Sequence, residues 1–338
     1  MKRILIVKVT SLGDIVETQP VVSDLRRAFP SAKIDWAADA AFADIIRWNP
    51  AVDRVLSAPL RKFKKARSWA DLKDIAASIG DLRAEKYDVI LDIHGVYKSA
   101  IIAFLARSSK RIGYQSKDLG ERGAAFAYTG RFGPRPQCDA WHGMRISASE
   151  ALGYEVEGPP VYNLRLPEPA TPLFAADGRP VAALFHATSK DDKKWPVPHW
   201  VAVGRELAQR GFHVVLPWGS ERERTEAEQI ASQVPGSTVL PKLNVTEIAQ
   251  MIDACALVVG TDTGFVHVAH GLQKRTVMIF VATSPSHFGI QAPFRSISIG
   301  DGHSVPSIAE ALEAIDYVHG DVHSEPRVAA MQHGSAAA

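Results

Sequence analysis

Three short segments of the chain hold the side chains best suited to chemistry. The first, KVTSLGD, ends at Asp14, after the apolar run Ile4–Val7 and at the start of an amphipathic stretch. Gly13 permits a tight turn there. A carboxylate in that position, within about 2.6–3.2 Å of a substrate hydroxyl, can act as a general base. An aspartate at a helix start is also an N-cap, stabilising by about 1 kcal/mol, and the two roles are compatible. Thr10 and Ser11 in the same turn could contact a ligand or merely satisfy the loop.

The second segment, FHATSKDDKKWP, follows a run ending at Phe185. It combines the hydroxyls of Thr188 and Ser189 with Lys190, Lys193 and Lys194, which supply the hydrogen bonds and positive charge that a diphosphate takes. A solvated charged loop is the plainer alternative. In the third, GTDTGFVHVAHG, Asp262, Thr263 and Gly264 open a helix. Exposed N–H groups and the helix dipole favour an anion there. His267, one turn in, could touch phosphate or sugar, or pack as an ordinary helix histidine. A lone D-T-G between a strand and a helix does not make an aspartic protease, which needs two facing aspartates. In LPWGSERER, Glu223 could bind a ribose hydroxyl; Trp218 could pack near a base, although a structural role is the simpler reading.

Together these groups suit loss of a nucleoside diphosphate without a metal. A lysine and a helix N-terminus can stabilise the charge that grows on the leaving group. Asp191-Asp192 is the nearest metal-binding candidate, and its adjoining lysines favour phosphate over Mg²⁺. No metal and no cofactor are expected. A basic segment, RKFKKAR, sets Arg61, Lys62, Lys64 and Lys65 beside Phe63 and Trp69. It leads into a helix expected to end near Glu85, with Leu72, Ile75, Ile79 and Leu82 along one face. That suits an anionic lipid headgroup or membrane surface, or simply a solvated helix face. Arg111, Lys117 and Arg122 form a second basic group, and the turn His94–Lys98 follows a strand end.

The elements that must position these residues alternate. Strands are expected at Ile4–Val7, Lys33–Ala37, Arg54–Leu56, Val89–Ile93 and Arg111–Gly113, and again at Val181–Phe185, Val214–Leu216, Leu257–Val259 and Thr276–Phe280, with helices between most of them. Such alternation predicts parallel sheets covered on both faces. The segment EVEGPPVYNLRLPEPATP interrupts it with five prolines, which is linker chemistry. The expected organisation is an α/β domain over 1–155, a linker over 156–178, a second α/β domain over 179–318, and a disordered tail over 319–338. Ligands of such paired domains sit between them, at the carboxyl ends of the strands.

Composition agrees with a folded two-domain protein: 338 residues, 46% hydrophobic and 22% charged. The net charge of +2 is unevenly distributed: residues 1–160 carry 25 Lys/Arg against 19 Asp/Glu, and the remainder 14 against 18. The first half is therefore expected to meet something anionic, though the excess is too small to require nucleic acid. Two cysteines cannot make a disulfide framework. The N-terminal apolar run is too short for a signal peptide, and no run approaches a membrane span.

At these same segments the chain resembles the bacterial ADP-heptose:lipopolysaccharide heptosyltransferases, most closely the first-step members. The likeness runs to about residue 318 and is carried by ILIVKVTSLGDIVETQP, YDVILDIHGVYKSA, FHATSKDDKKWP, LPWG and GTDTGFVHVAHGL. It implies a GT-B fold, two Rossmann-like α/β domains facing an interdomain cleft. It also implies an inverting transfer of heptose from ADP-heptose to a Kdo residue of Kdo2-lipid A. On matching positions Asp14 would be the base, with Lys193 assisting. Thr188, Ser189, Lys193, Glu223, Asp262, Thr263, Gly264 and His267 would hold ADP-heptose, with Leu243 near the adenine. Arg61, Lys62, Lys64, Lys65 and Arg122 would meet acidic groups of the acceptor; Ser11 and Lys98 are further acceptor-side candidates. The protein is expected to be a cytoplasmic monomer, peripheral at the inner membrane. Two departures from the family pattern stand out: His94-Gly95 where such enzymes carry Gln-Gly, and VATSPSHFG after Phe280. A second-step heptosyltransferase, a nucleotide-sugar epimerase on the same fold and a non-catalytic binding module are the competing readings.

Overall fold

The computed structural model describes residues 1–58, 68–170, 178–188 and 190–320. The chain divides into two compact units, Met1–Arg165 and Leu166–Ala338. In the first, β1 (Arg3–Val7), β2 (Lys33–Asp39), β3 (Arg54–Ala58), β4 (Val89–Asp92), β5 (Arg111–Gly113) and β6 (Gly130–Arg131) form one sheet in the order β3-β2-β1-β4-β5-β6. In the second, β7 (Val181–Phe185), β8 (His213–Leu216), β9 (Thr238–Val239), β10 (Leu257–Thr261), β11 (Arg275–Ile279) and β12 (Ser296–Ile299) follow the order β12-β11-β10-β7-β8-β9. Every pairing is parallel.

Both orders are the doubly wound pattern 3-2-1-4-5-6, so each sheet reverses direction once. The reversal lies between β1 and β4 in the first unit and between β7 and β10 in the second. A crevice opens at the carboxyl ends of those central strands. The sequence explains why they are central. Ile4–Val7, Val89–Leu91, Ala182–Leu184 and Leu257–Val259 are wholly buried, as strands covered on both faces must be.

The proline-rich segment begins as a strap on the first unit. Ser23 donates to the Val161 carbonyl, Asn49 to that of Tyr162, and the Arg165 amide to that of Trp48. Arg145, 2% exposed, grips Asp24 through two bonds of 2.7 and 3.0 Å and donates to the carbonyls of Glu157 and Gly158. Removing one partner of a buried ion pair strands the other charge and typically costs about 3–5 kcal/mol. Asp24→Ala should therefore lower the unfolding free energy by about that amount in urea titration; a change below about 1 kcal/mol would contradict this assignment.

Two expectations need correction. The first helix begins at Leu12, with Ser11 as N-cap, so Asp14 is the third helical residue and not the cap. The amphipathic helix is Trp69–Ala84, capped by Ser68, and of its expected apolar face only Leu82 is buried, while Leu72 is 51% exposed. Arg61, Lys62, Lys64 and Lys65, together with Ser189 and residues 321–338, lie outside the described residues.

Candidate active site

At the end of β1 the chain turns directly into the Leu12–Ala28 helix, and Asp14 stands in its first turn. Its Oδ2 accepts from the Ser11 amide (2.9 Å) and the Ser11 hydroxyl (2.8 Å). Its Oδ1 pairs with Lys8 Nζ at 2.8 Å. Burial alone would push the Asp14 carboxyl up. The Lys8 charge and hydrogen bond, with the two bonds from Ser11, outweigh it and hold the pKa at about 2. Asp14 is thus an anchored carboxylate, ionised at neutral pH, with a quarter of its side chain open to solvent.

Sequence reasoning misses Lys8, although a lysine at the end of an apolar strand needs a buried anionic partner. Lys8→Met should leave burial less opposed and raise the Asp14 pKa. If the ionised form is required for turnover, activity then fails at a higher pH: the acid limb of kcat/KM should move up by at least about one pH unit. An unmoved limb would remove Lys8 from this role.

Beside it, the β4 turn is fixed by the buried Asp92 carboxylate. Asp92 accepts from the amides of His94 (3.0 Å) and Gly95 (3.2 Å) and from the Tyr128 hydroxyl (2.7 Å). Gly95 has φ +81°, a conformation that side-chain-bearing residues rarely adopt. His94 Nδ1 in turn accepts from the Val9 amide at 3.1 Å, tying the ends of β1 and β4 together. Lys98 is exposed in the Tyr97–Leu105 helix, and Arg122 is exposed at the start of the Arg122–Ala127 turn. Arg111 is committed to the backbone carbonyls of Ala127 and Ser108. It does not join them.

In the second unit a cavity of about 270 Å³ lies at the corresponding strand ends. Thr188, Glu223 and Thr263, three of the donor-side candidates, line it, together with Trp218, Phe185, Phe265 and Ile248. Phe185 and Phe265 stack at 5.8 Å. Trp218 is fixed by a bond from Nε1 to the Leu240 carbonyl. Thr188 Oγ1 is buried without a partner among the described residues. Glu223 also serves the local structure. Its carboxylate accepts from the amides of Gly219 (2.7 Å) and Ser220 (3.0 Å), completing the S-x-x-E cap of the Glu221–Ala231 helix.

Next to the cavity, Lys193 Nζ meets Asp262 Oδ2 at 2.6 Å, each side chain about one-fifth exposed. Thr283 donates to the same carboxylate oxygen at 3.3 Å. Lys194 turns to Glu226, and Asp191 accepts from Arg222. Three of the loop's charges, Asp191, Lys193 and Lys194, are therefore paired with partners elsewhere in the second unit. Thr263 is the N-cap of the Gly264–Gly271 helix and its side chain makes no cap bond. His267 is buried at 4% exposure. Leu243 is half-buried and is not among the cavity's lining residues.

A model of glycosyltransferase family 9 (heptosyltransferase) matches residues 75–303. The chain belongs to that family. As a family 9 member it is a glycosyltransferase and a heptosyltransferase, related to enzymes of lipopolysaccharide biosynthesis. It is 30% identical over 291 residues to lipopolysaccharide heptosyltransferase 1 of Escherichia coli K12, covering 85% of this chain and 90% of the relative. Two solved structures of the E. coli heptosyltransferase WaaC are also similar. The one with ADP has a TM-score of 0.83 and 28% identity, over 93% of this chain and 99% of that one. The one with ADP-2-deoxy-2-fluoro heptose has a TM-score of 0.78 and 27% identity, over 95% and 100%. The resemblance read from the motifs and the GT-B fold class are both borne out. Among the described residues of this family 9 chain, no group of three or more His, Cys, Asp or Glu could hold a metal ion, and no helix is long and apolar enough to cross a membrane.

Proposed function

We propose that this heptosyltransferase moves heptose from ADP-heptose to a Kdo residue of Kdo2-lipid A, in one inverting step. The second unit would hold the donor: the adenosine in the Trp218–Phe265 cavity, and the diphosphate against Lys193, Thr188, Ser189 and the amides of Thr263 and Gly264. Two anions do not share a site without a cation, so Asp262 would act by holding Lys193 in place. Asp14 would take the proton of the acceptor hydroxyl as its oxygen attacks the anomeric carbon and the bond to ADP breaks. A carboxylate with a pKa of about 2 is a weak base. Proton transfer to it becomes favourable only late, once bonding to carbon has made the hydroxyl acidic. Lys193 and the helix N-terminus stabilise the charge arriving on ADP.

The observation that carries this reading is the ionised, anchored Asp14 at the reversal point of the first sheet. The basic residues Arg61, Lys62, Lys64, Lys65, Lys98 and Arg122 would meet the acceptor's acidic groups. The exposed Trp69, Ile101, Phe104 and Phe126, at 87, 47, 53 and 55%, would let a peripheral enzyme rest on the cytoplasmic face of the inner membrane. The test is a product assay with ADP-heptose and either Kdo2-lipid A or an acceptor already bearing one heptose, read by mass and linkage analysis. Heptose on Kdo supports the proposal. Transfer only to the heptosylated acceptor would make this a second-step enzyme.

A further inference from the structure

Resting on that reading, we propose that His94 is a specificity-determining residue of the acceptor side, donating a hydrogen bond from a neutral imidazole Nε2–H to an oxygen of the acceptor sugar beside Asp14. The backbone decides the tautomer. An amide N–H can only donate, so the Val9 amide at 3.1 Å requires an unprotonated Nδ1 and leaves the proton on Nε2. The ring is rigidly presented, because Asp92 fixes the backbone on which it stands. His94 is half-buried, and Nε2 has no partner among the described residues.

The placement follows from the two strand ends: Val7 pairs with Asp92, the amide of Val9 holds the ring, and Lys8 between Val7 and Val9 pairs with Asp14 at 2.8 Å, so the ring stands in the same turn region as the carboxylate that receives the acceptor's proton. Burial, with the positive charges of Lys8 and Lys98, holds its pKa down at about 4 despite Asp14, so it is uncharged at neutral pH. A neutral donor suits this place. A second cation there would weaken an already weak base, whereas an imidazole N–H binds an acceptor oxygen without adding charge. A glutamine in this place could make the same two bonds: its carbonyl accepts and its amide donates.

The experiment uses the full-length protein labelled with ¹⁵N-histidine, with His94→Gln identifying the signal. Kdo2-lipid A, O-deacylated for solubility, is added to the wild type. The expected result is an Nε2–H tautomer whose signal shifts on acceptor addition and not with ADP alone. In kinetics, His94→Ala should raise the acceptor KM about tenfold with the ADP-heptose KM unchanged, and His94→Gln should recover most of that loss. An unmoved imidazole at saturating acceptor, or equal effects of His94→Ala on both substrates, overturns the proposal in favour of a purely structural clamp. The labelled wild type decides the matter even if His94→Ala fails to fold. Wild-type protein that transfers no heptose to Kdo defeats the acceptor assignment itself and this inference with it; transfer with an unmoved imidazole defeats the inference alone.

Discussion

Asp14→Asn is expected to lower kcat by about 10³-fold, within the range for loss of a general base, while ADP-heptose binds with unchanged affinity. The amide keeps the size of the carboxylate and can still accept from the Ser11 amide at 2.9 Å, so the turn survives. What disappears is the proposed proton acceptor and the charge that pairs with Lys8. Stopped-flow or calorimetric titration with ADP-heptose, set beside steady-state rates, separates the two effects. Turnover within about tenfold of wild type would remove Asp14 as the base. Loss of donor affinity would mean that the carboxylate supports the nucleotide sugar.

Lys193→Ala is expected to be nearly as damaging for a different reason. It removes the cation proposed to meet the leaving diphosphate, which should cost about 10²–10³-fold in kcat. It also leaves Asp262, now 2.6 Å from an empty position, as an unpaired anion facing the donor. The donor KM should therefore rise as well. Adding Asp262→Ala to Lys193→Ala should restore part of the binding without restoring kcat. If the double variant binds ADP-heptose worse than Lys193→Ala alone, Asp262 touches the donor directly and does not act through Lys193.

How far the sequence can be read depends on the range of the interactions. The strands at the centre of each sheet are evident because they are short, apolar and buried on both faces. The edge strands β6 and β9, two residues each, carry no pattern of their own, and β12 hides Ser296 and Ser298 among its isoleucines. These three strands are defined by their neighbours. Asp14 is recognisable as chemically important, but its expected setting is off by three residues, because Ser11 is the better cap and Asp14 completes it from within the helix. The S-x-x-E and N-x-x-E caps at Ser220 and Asn244 are legible by spacing, and the first shows why Glu223 has work apart from any ribose.

Pairings across the chain are not legible. Lys193 and Asp262 are 69 residues apart, and Val9 and His94 are 85 apart. Only the parallel sheet, which sets β7 beside β10 and β1 beside β4, brings each pair into reach. Lys8 illustrates the intermediate case. Its neighbour in space, Asp14, is close in sequence, yet the tight turn between them has to be known before the ion pair can be inferred.

The central claim is a single displacement in which the acceptor oxygen attacks the donor sugar directly, with Asp14 taking the proton and no other side chain bonded to the heptose. The anomeric configuration of the product, compared with that of the ADP-heptose supplied, tests this most directly. NMR of the heptosyl–Kdo linkage should show inversion at the anomeric carbon. Retention would require a covalent enzyme intermediate or a different reaction course, and would contradict the role assigned to Asp14.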